Sequence, residues 1–193
     1  MSDASVAAAL RSGASLVVIE APGGCGKTHQ GAQYAADAAG NTESRILILT
    51  HTHAACDVFA ARTASSRNRV EIRTLDSLTG QIASAYHARL DLPADVSAWS
   101  RTNDDGYNRV AIKVARLLDK KPLIANALAR RYPLIICDEH QDATAAQNQI
   151  ILALHKAGVH LRVFADPMQR IFGGRNAAAI AAEIKRWTDL KEQ

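Results

Sequence analysis

Five short apolar runs divide the chain: Leu16–Glu20, Ile46–Thr50, Val70–Thr74, Leu134–Cys137 and residues 161–165. Four are near-continuous stretches of Val, Ile and Leu, the pattern of strands covered on both faces in a parallel sheet. Val70–Thr74 alternates instead, with Glu71 and Arg73 on one face, and predicts an edge or ligand-facing strand. Helical patterns fill the gaps. Residues 28–39 stop before Gly40, residues 54–64 follow the second run, and residues 143–157 stop before Gly158, glycine being a common helix terminator. Asn176 is a candidate N-cap for a last helix reaching Trp187. Strands alternating with helices predict an α/β fold, a mostly parallel sheet with helices on both faces.

Between the third and fourth runs, residues 78–131 read as helical, interrupted over 92–106 by Pro93, Ser97, Asn103, Asp104, Asp105 and Gly106. Pro122 starts or kinks the final helix of this segment. The expected organisation is therefore a core of residues 1–77 and 132–193 with a small helical insert, residues 78–131.

Composition adds bounds. A chain of 193 residues with 48% hydrophobic and 22% charged side chains can bury a sufficient core without disulfide or metal staples. Cys25, Cys56 and Cys137 are spaced like neither a zinc site nor a disulfide framework, so reduced thiols and a cytoplasmic setting are expected. No apolar run approaches the ~20 residues of a membrane helix. The net charge of +4 is concentrated in residues 101–193, where fifteen Lys/Arg face ten Asp/Glu. That excess suits a polyanionic partner, although ordinary surfaces share it.

The first strand runs directly into Ala21-Pro22-Gly23-Gly24-Cys25-Gly26-Lys27-Thr28 and then a helix. Glycines let successive backbone N–H groups curl around phosphate oxygens, and the helix N-terminus adds partial positive charge. Lys27 is expected to reach the β- and γ-phosphates, and the Thr28 hydroxyl to ligate Mg²⁺. Cys25 sits among the phosphate-facing amides and is read as a tolerated small residue.

The fourth strand empties into Asp138-Glu139-His140-Gln141-Asp142. Behind a phosphate loop, Asp138 is expected in the metal shell and Glu139 as acceptor of the proton of attacking water. After the last strand, Gln169 carries an amide suited to bridging the γ-phosphate site to what lies across the sheet edge.

Five ordered motifs together resemble the first, RecA-like ATP-binding domain of superfamily 1 DNA helicases of the UvrD/Rep-like group. Residues 21–28 resemble A-x-x-G-x-G-K-T, and Ile48-Leu49-Thr50-His51-Thr52-His53-Ala54-Ala55 is similar to T-F-T-N-x-A-A. Thr74-Leu75-Asp76-Ser77-Leu78 matches T-F-H-S-F, and residues 138–142 with Gln147 match D-E-x-Q-D and its following glutamine. Residues 166–177 are similar to D-x-x-Q-x-I-Y-x-W-R-G-A. The resemblance implies a P-loop NTPase and helicase-type ATP hydrolase with ATP and Mg²⁺ as cofactors. It implies that Ala21, Pro22, Gly23, Gly24, Cys25, Gly26, Lys27 and Thr28 bind nucleotide, and that Thr28 and Asp138 hold the metal. By the same carry-over Glu139 serves the water, Gln169 senses the γ-phosphate, and Gln141 and Arg175 couple it to DNA. Thr50, His51, His53, Arg73, Thr74 and Arg175 would touch single-stranded or partly duplex DNA.

The sequence departs from the family at His51 and Gly174, where the family has base-stacking aromatics. Grip there is expected to be weak or supplied elsewhere. Residues 1–14 hold no glutamine to mark adenine selectivity. The second motor domain of the family has no counterpart in this chain, so a second domain or partner protein is expected to complete the ATP site. Two other readings remain: a non-motor, nucleotide-dependent regulatory or binding subunit of a larger repair or defence complex, and a small-molecule phosphotransferase.

Overall fold

A computed structural model describes residues 3–166 of the chain. Five parallel strands, β1 (Leu16–Glu20), β2 (Ile46–Thr50), β3 (Val70–Thr74), β4 (Leu134–Cys137) and β5 (His160–Ala165), form one sheet in the order β1-β5-β4-β2-β3. The alternating run is an edge strand, as its pattern predicts. Side-chain parity explains the continuous apolar runs. Leu47 and Leu49 face one helical layer while Ile46 and Ile48 face the other, and all four are at most 1% exposed.

On one face lie α1 (Asp3–Leu10), α2 (Lys27–Gly40) and α3 (His53–Arg62). Their cluster centres on Phe59 and Phe164. A Cβ on Gly31 would lie 3.2 Å from the Phe164 ring, so the missing side chain lets α2 settle onto the sheet. The opposite face is covered by α4 (Leu75–Ala85), α6 (Gly106–Lys120), α7 (Pro122–Arg131) and α8 (Ala145–Lys156). The short α5 (Val96–Thr102) falls inside the stretch that the sequence marks as interrupted. Asp95 caps it through Ala98 N, and Thr102 Oγ1 and Asn103 Nδ2 both donate to the Trp99 carbonyl at its end. Asn103 reads as a breaker in the sequence because such polar residues favour helix ends. The helices between β3 and β4 share one apolar cluster with α8 and with β2, β4 and β5.

The helix signals agree with the structure only in part. Helix α2 includes Gly40 and is capped by Asn41, whose side chain donates to the Asp37 carbonyl. Gly158 does adopt a left-handed backbone, φ 100°, as the chain leaves α8. Helix α1 has no sequence signature, and it is held by a residue far along the chain. Buried Arg162 in β5 donates to the carbonyls of Leu10, Ser12 and Ala14, with its guanidinium over the Tyr34 ring. The helix expected from Asn176 to Trp187 lies outside the described residues. Among the described residues no helix is long and apolar enough to cross a membrane.

Candidate nucleotide and strand-binding site

Strand order assembles the first half of the site. Because β5 lies between β1 and β4, the loop after β1 and the acids after β4 flank the end of β5 on one edge of the sheet. Gly24 and Gly26 hold φ of 78° and 75°, conformations that strain any residue with a Cβ. Gly26 is the N-cap of α2, so the loop feeds directly into a helix N-terminus.

Lys27, 6% exposed, donates from Nζ to the carbonyls of Ala21 (2.9 Å) and Pro22 (3.1 Å) and lies 3.7 Å from Glu139 Oε1. The Thr28 hydroxyl donates to Asp138 Oδ2 at 3.1 Å, across 110 residues of sequence. Asp138 is 3% exposed, and its backbone N–H extends the β4–β2 ladder to Leu49. Burial, reinforced by the neighbouring Glu139 carboxylate, pushes its carboxyl up to about 6 against the pull of Thr28 and Lys27. Its Oδ1 is buried and has no hydrogen-bond partner among the described residues. A buried carboxylate with one oxygen shared with a threonine hydroxyl and the other unengaged fits a small hard cation, whose charge would offset the desolvation. Thr28 and Asp138 thus suit Mg²⁺.

Glu139 takes a left-handed backbone, φ 49°, which turns its side chain out of the strand direction. Gln141 braces it. The Gln141 amide donates from Nε2 to Glu139 Oε2, while Oε1 accepts the backbone N–H of Asp166 at 2.9 Å. One amide therefore joins the expected proton acceptor to the end of β5. Below it, His140 Nε2 pairs with Asn148 Oδ1 (2.9 Å) and anchors the acidic turn to α8. Cys137 is buried, and that burial pushes its thiol up to about 12, so it is an inert core residue. Cys25 is exposed on the phosphate loop.

A groove of about 580 Å³ opens at the ends of β2 and β3. His51, His53, Arg73 and Thr74 line it, four of the residues expected to touch DNA. Thr50 does not line the groove. It is 1% exposed, donates to the Thr52 carbonyl and contacts Cys56 Sγ, which fixes the start of α3. Thr52 and Thr74 cap α3 and α4 through Ala55 N and Ser77 N. Arg73 uses its Nε on Glu71, which also accepts from Tyr132 (2.7 Å). Gln169 and Arg175 lie outside the described residues.

The structure adds contacts that motif matching did not assign. Gln147 donates to Asp76 Oδ1 at 2.9 Å in the groove wall, while its Oε1 accepts from Thr144 N in the capping box of α8. Burial raises the Asp76 carboxyl, and the Gln147 bond partly counters it. The glutamine spacing was visible in sequence, but its partner lies 71 residues upstream. Ser97, Ser100, Arg101 and Tyr107 of the insert form the far wall. Their signal was masked by a stretch that reads as loop.

A parallel α/β sheet with a glycine-rich loop entering a helix at one strand end, and buried carboxylates at a nearby strand end, defines the P-loop, RecA-like class. The family model of the UvrD/REP helicase N-terminal domain matches residues 96–183. A RecBCD enzyme subunit RecB from Borreliella burgdorferi is 44% identical over 59 residues, 31% of this chain and 5% of that protein. The chain is thus similar to UvrD/Rep-type helicase N-terminal domains, as its motifs indicate, and spans a small fraction of this curated relative.

Proposed function

We propose that this chain is the ATP-binding domain of a UvrD/Rep-like helicase or DNA-dependent ATPase that binds Mg·ATP and couples its hydrolysis to single-stranded DNA in the cytoplasm. The observation that carries the reading is the convergence of Lys27, Thr28, Asp138 and Glu139, with the Thr28–Asp138 bond joining loop and strand.

The Lys27 ammonium, now held by two loop carbonyls, exchanges those neutral acceptors for β- and γ-phosphate oxygens, which bind a cation more strongly. Backbone N–H groups of residues 23–28 and the N-terminus of α2 stabilise the same charge. When bound between Thr28 and Asp138, Mg²⁺ neutralises negative charge on the phosphates. Glu139 accepts the proton of the water that attacks the γ-phosphorus, and the bond from that phosphorus to the bridging oxygen breaks to release ADP and phosphate. Gln141 positions Glu139 and ties it to the β5 end, beyond which the motif resemblance places Gln169 as sensor. By the same resemblance, a second motor domain or a partner chain supplies the remaining charge stabilisation.

The test is ATP turnover by the complete protein with and without single-stranded DNA, alongside Glu139→Gln. Removing a general base lowers kcat by roughly 10²–10⁴ while nucleotide still binds. DNA-independent turnover would refute the coupling, and full activity in Glu139→Gln would remove the proposed base. Nucleotide-dependent association with a partner, unaffected by DNA, would favour the regulatory-subunit reading.

A further inference from the structure

The strand groove has two walls of different origin. One is made by the ends of β2 and β3 and by the length of α4. The other is the corner where α5 meets α6 in the insert. Packing fixes that corner. A Cβ on Gly106 would lie 2.4 Å from the Ser100 carbonyl oxygen, so α6 can begin this close to α5 only because residue 106 is glycine. Asp105 adopts a left-handed backbone, φ 52°, to make the turn, and Gly106 N donates to Asn103 O at 3.0 Å. Behind it the Arg109 guanidinium stacks over Trp99 at 4.9 Å, bracing one helix on the other.

This corner holds Arg101 and Tyr107 at the groove. Tyr107 is 45% exposed; Tyr86 and Leu123 of the insert are exposed as well, but of the three only Tyr107 lines the groove. Arg101 is exposed and donates to Ser97 Oγ at 2.8 Å one turn earlier, which steadies its direction. Across the groove stand Arg73 and the imidazoles of His51 and His53. Asp76 is the only carboxylate lining the groove among the described residues, and Gln147 engages it. Two arginines, imidazoles and an exposed aromatic face match a polyanion that also carries stacking bases.

We infer that the α5–α6 corner is the second wall of a single-stranded nucleic-acid site, with Tyr107 stacking on a base and Arg101 contacting a phosphate. The inference rests on the proposed coupling to single-stranded DNA, takes the groove lined by His51, His53, Arg73 and Thr74 as the strand site, and adds the grip that His51, in place of an aromatic, weakens. Stacking on Tyr107 is sequence-tolerant, because every base has a π face.

Binding of a fluorescein-labelled oligo-dT and its ribose counterpart to the 193-residue chain, followed by fluorescence anisotropy over a salt series, tests this. Tyr107→Ala is expected to weaken binding roughly ten-fold, and Tyr107→Phe to retain it, since the ring and not the hydroxyl stacks. Arg101→Ala is expected to weaken binding and flatten the slope of log K against log salt by about 0.7, one phosphate contact to a single strand. Affinity for a non-hydrolysable Mg·ATP analogue should be unchanged in all three. If the unaltered chain binds and both alanine variants bind equally well, the inference fails while the strand-groove reading stands. If the unaltered chain does not bind, both fail. A Tyr107→Phe defect as large as that of Tyr107→Ala would overturn stacking. If Tyr107→Ala lowers the thermal midpoint, the phenylalanine and Arg101 variants decide the outcome.

Discussion

Replacing Gln141 by leucine separates holding the fold from holding the catalytic geometry. Leucine is close in volume, so the cavity is small and polar loss dominates. Two bonds disappear, one to the charged Glu139 carboxylate and one from the Asp166 N–H. A hydrogen bond to a charged group contributes about 1.5–3 kcal/mol, and an unpaired buried N–H costs about 1–3 kcal/mol. Because Glu139 can recover water contacts, the expected stability loss is about 3 kcal/mol, a fall in Tm of roughly 8 °C for a chain of this size. The effect on turnover has a different origin. Glu139 sits at a left-handed backbone and loses the amide that restrains its carboxylate, and a misplacement of ~1 Å costs up to about a hundred-fold in rate. Lys27 and Thr28 are untouched, so KM for ATP should hold while kcat falls ten- to a hundred-fold. Steady-state ATPase kinetics with single-stranded DNA, beside urea denaturation, read both quantities. Unchanged kcat despite the loss of stability would show that Gln141 is a structural tie alone and refute its role in placing Glu139.

Other substitutions probe separate contacts. Lys27→Ala should weaken a Mg·ATP analogue about a hundred-fold by calorimetry, and equal affinity would remove Lys27 from the phosphate site. Gly106→Ala drives a Cβ into Ser100 backbone and should cost about 2–3 kcal/mol, or roughly 5–10 °C in Tm, whereas Gly31→Ala meets the rings of Phe164 at 3.2 Å and Phe59 at 3.6 Å, side chains rather than backbone, and should cost less. Calorimetric scans that rank the two the other way would contradict the rigidity of the α5–α6 corner. Glu71 is partly desolvated, but hydrogen bonds from Tyr132 and Arg73 and the charges of Arg73 and Arg131 outweigh burial and hold its carboxyl below the ordinary range. Its folded form therefore favours the carboxylate, a stabilisation present above the usual carboxylate pKa near 4.5 and lost as pH falls through the lower folded value. Tyr132→Phe should cost about 1 kcal/mol at pH 7 and flatten the acid limb of stability, seen by urea denaturation at several pH values; a parallel pH profile would contradict the assignment.

Much of the fold was legible in one dimension because parallel strands buried on both faces must be apolar throughout. Four of the five strands occupy the residues that the pattern marks, and β5 begins one residue earlier, at exposed His160. The glycine loop was legible for a related reason: its chemistry is local, with glycines, lysine and threonine within eight residues. The insert's fine structure was less so. Asp95, Asn103 and Gly106 mark helix ends as readily as loops, and only packing of α5 against α6 distinguishes the two.

What the sequence by itself determined is the set of strands, the phosphate loop and the acidic strand end, because runs of apolar residues and backbone geometry act over a few neighbouring residues. Tertiary structure alone decided the rest. Arg162 reaches Leu10 across 152 residues, Tyr132 reaches Glu71 across 61, Gln147 reaches Asp76 across 71, and Arg101 and Tyr107 line the same groove as Arg73. Polar partners at such separations leave no periodicity. Their pairing follows from strand order and from the need to satisfy each buried polar group once the layers close.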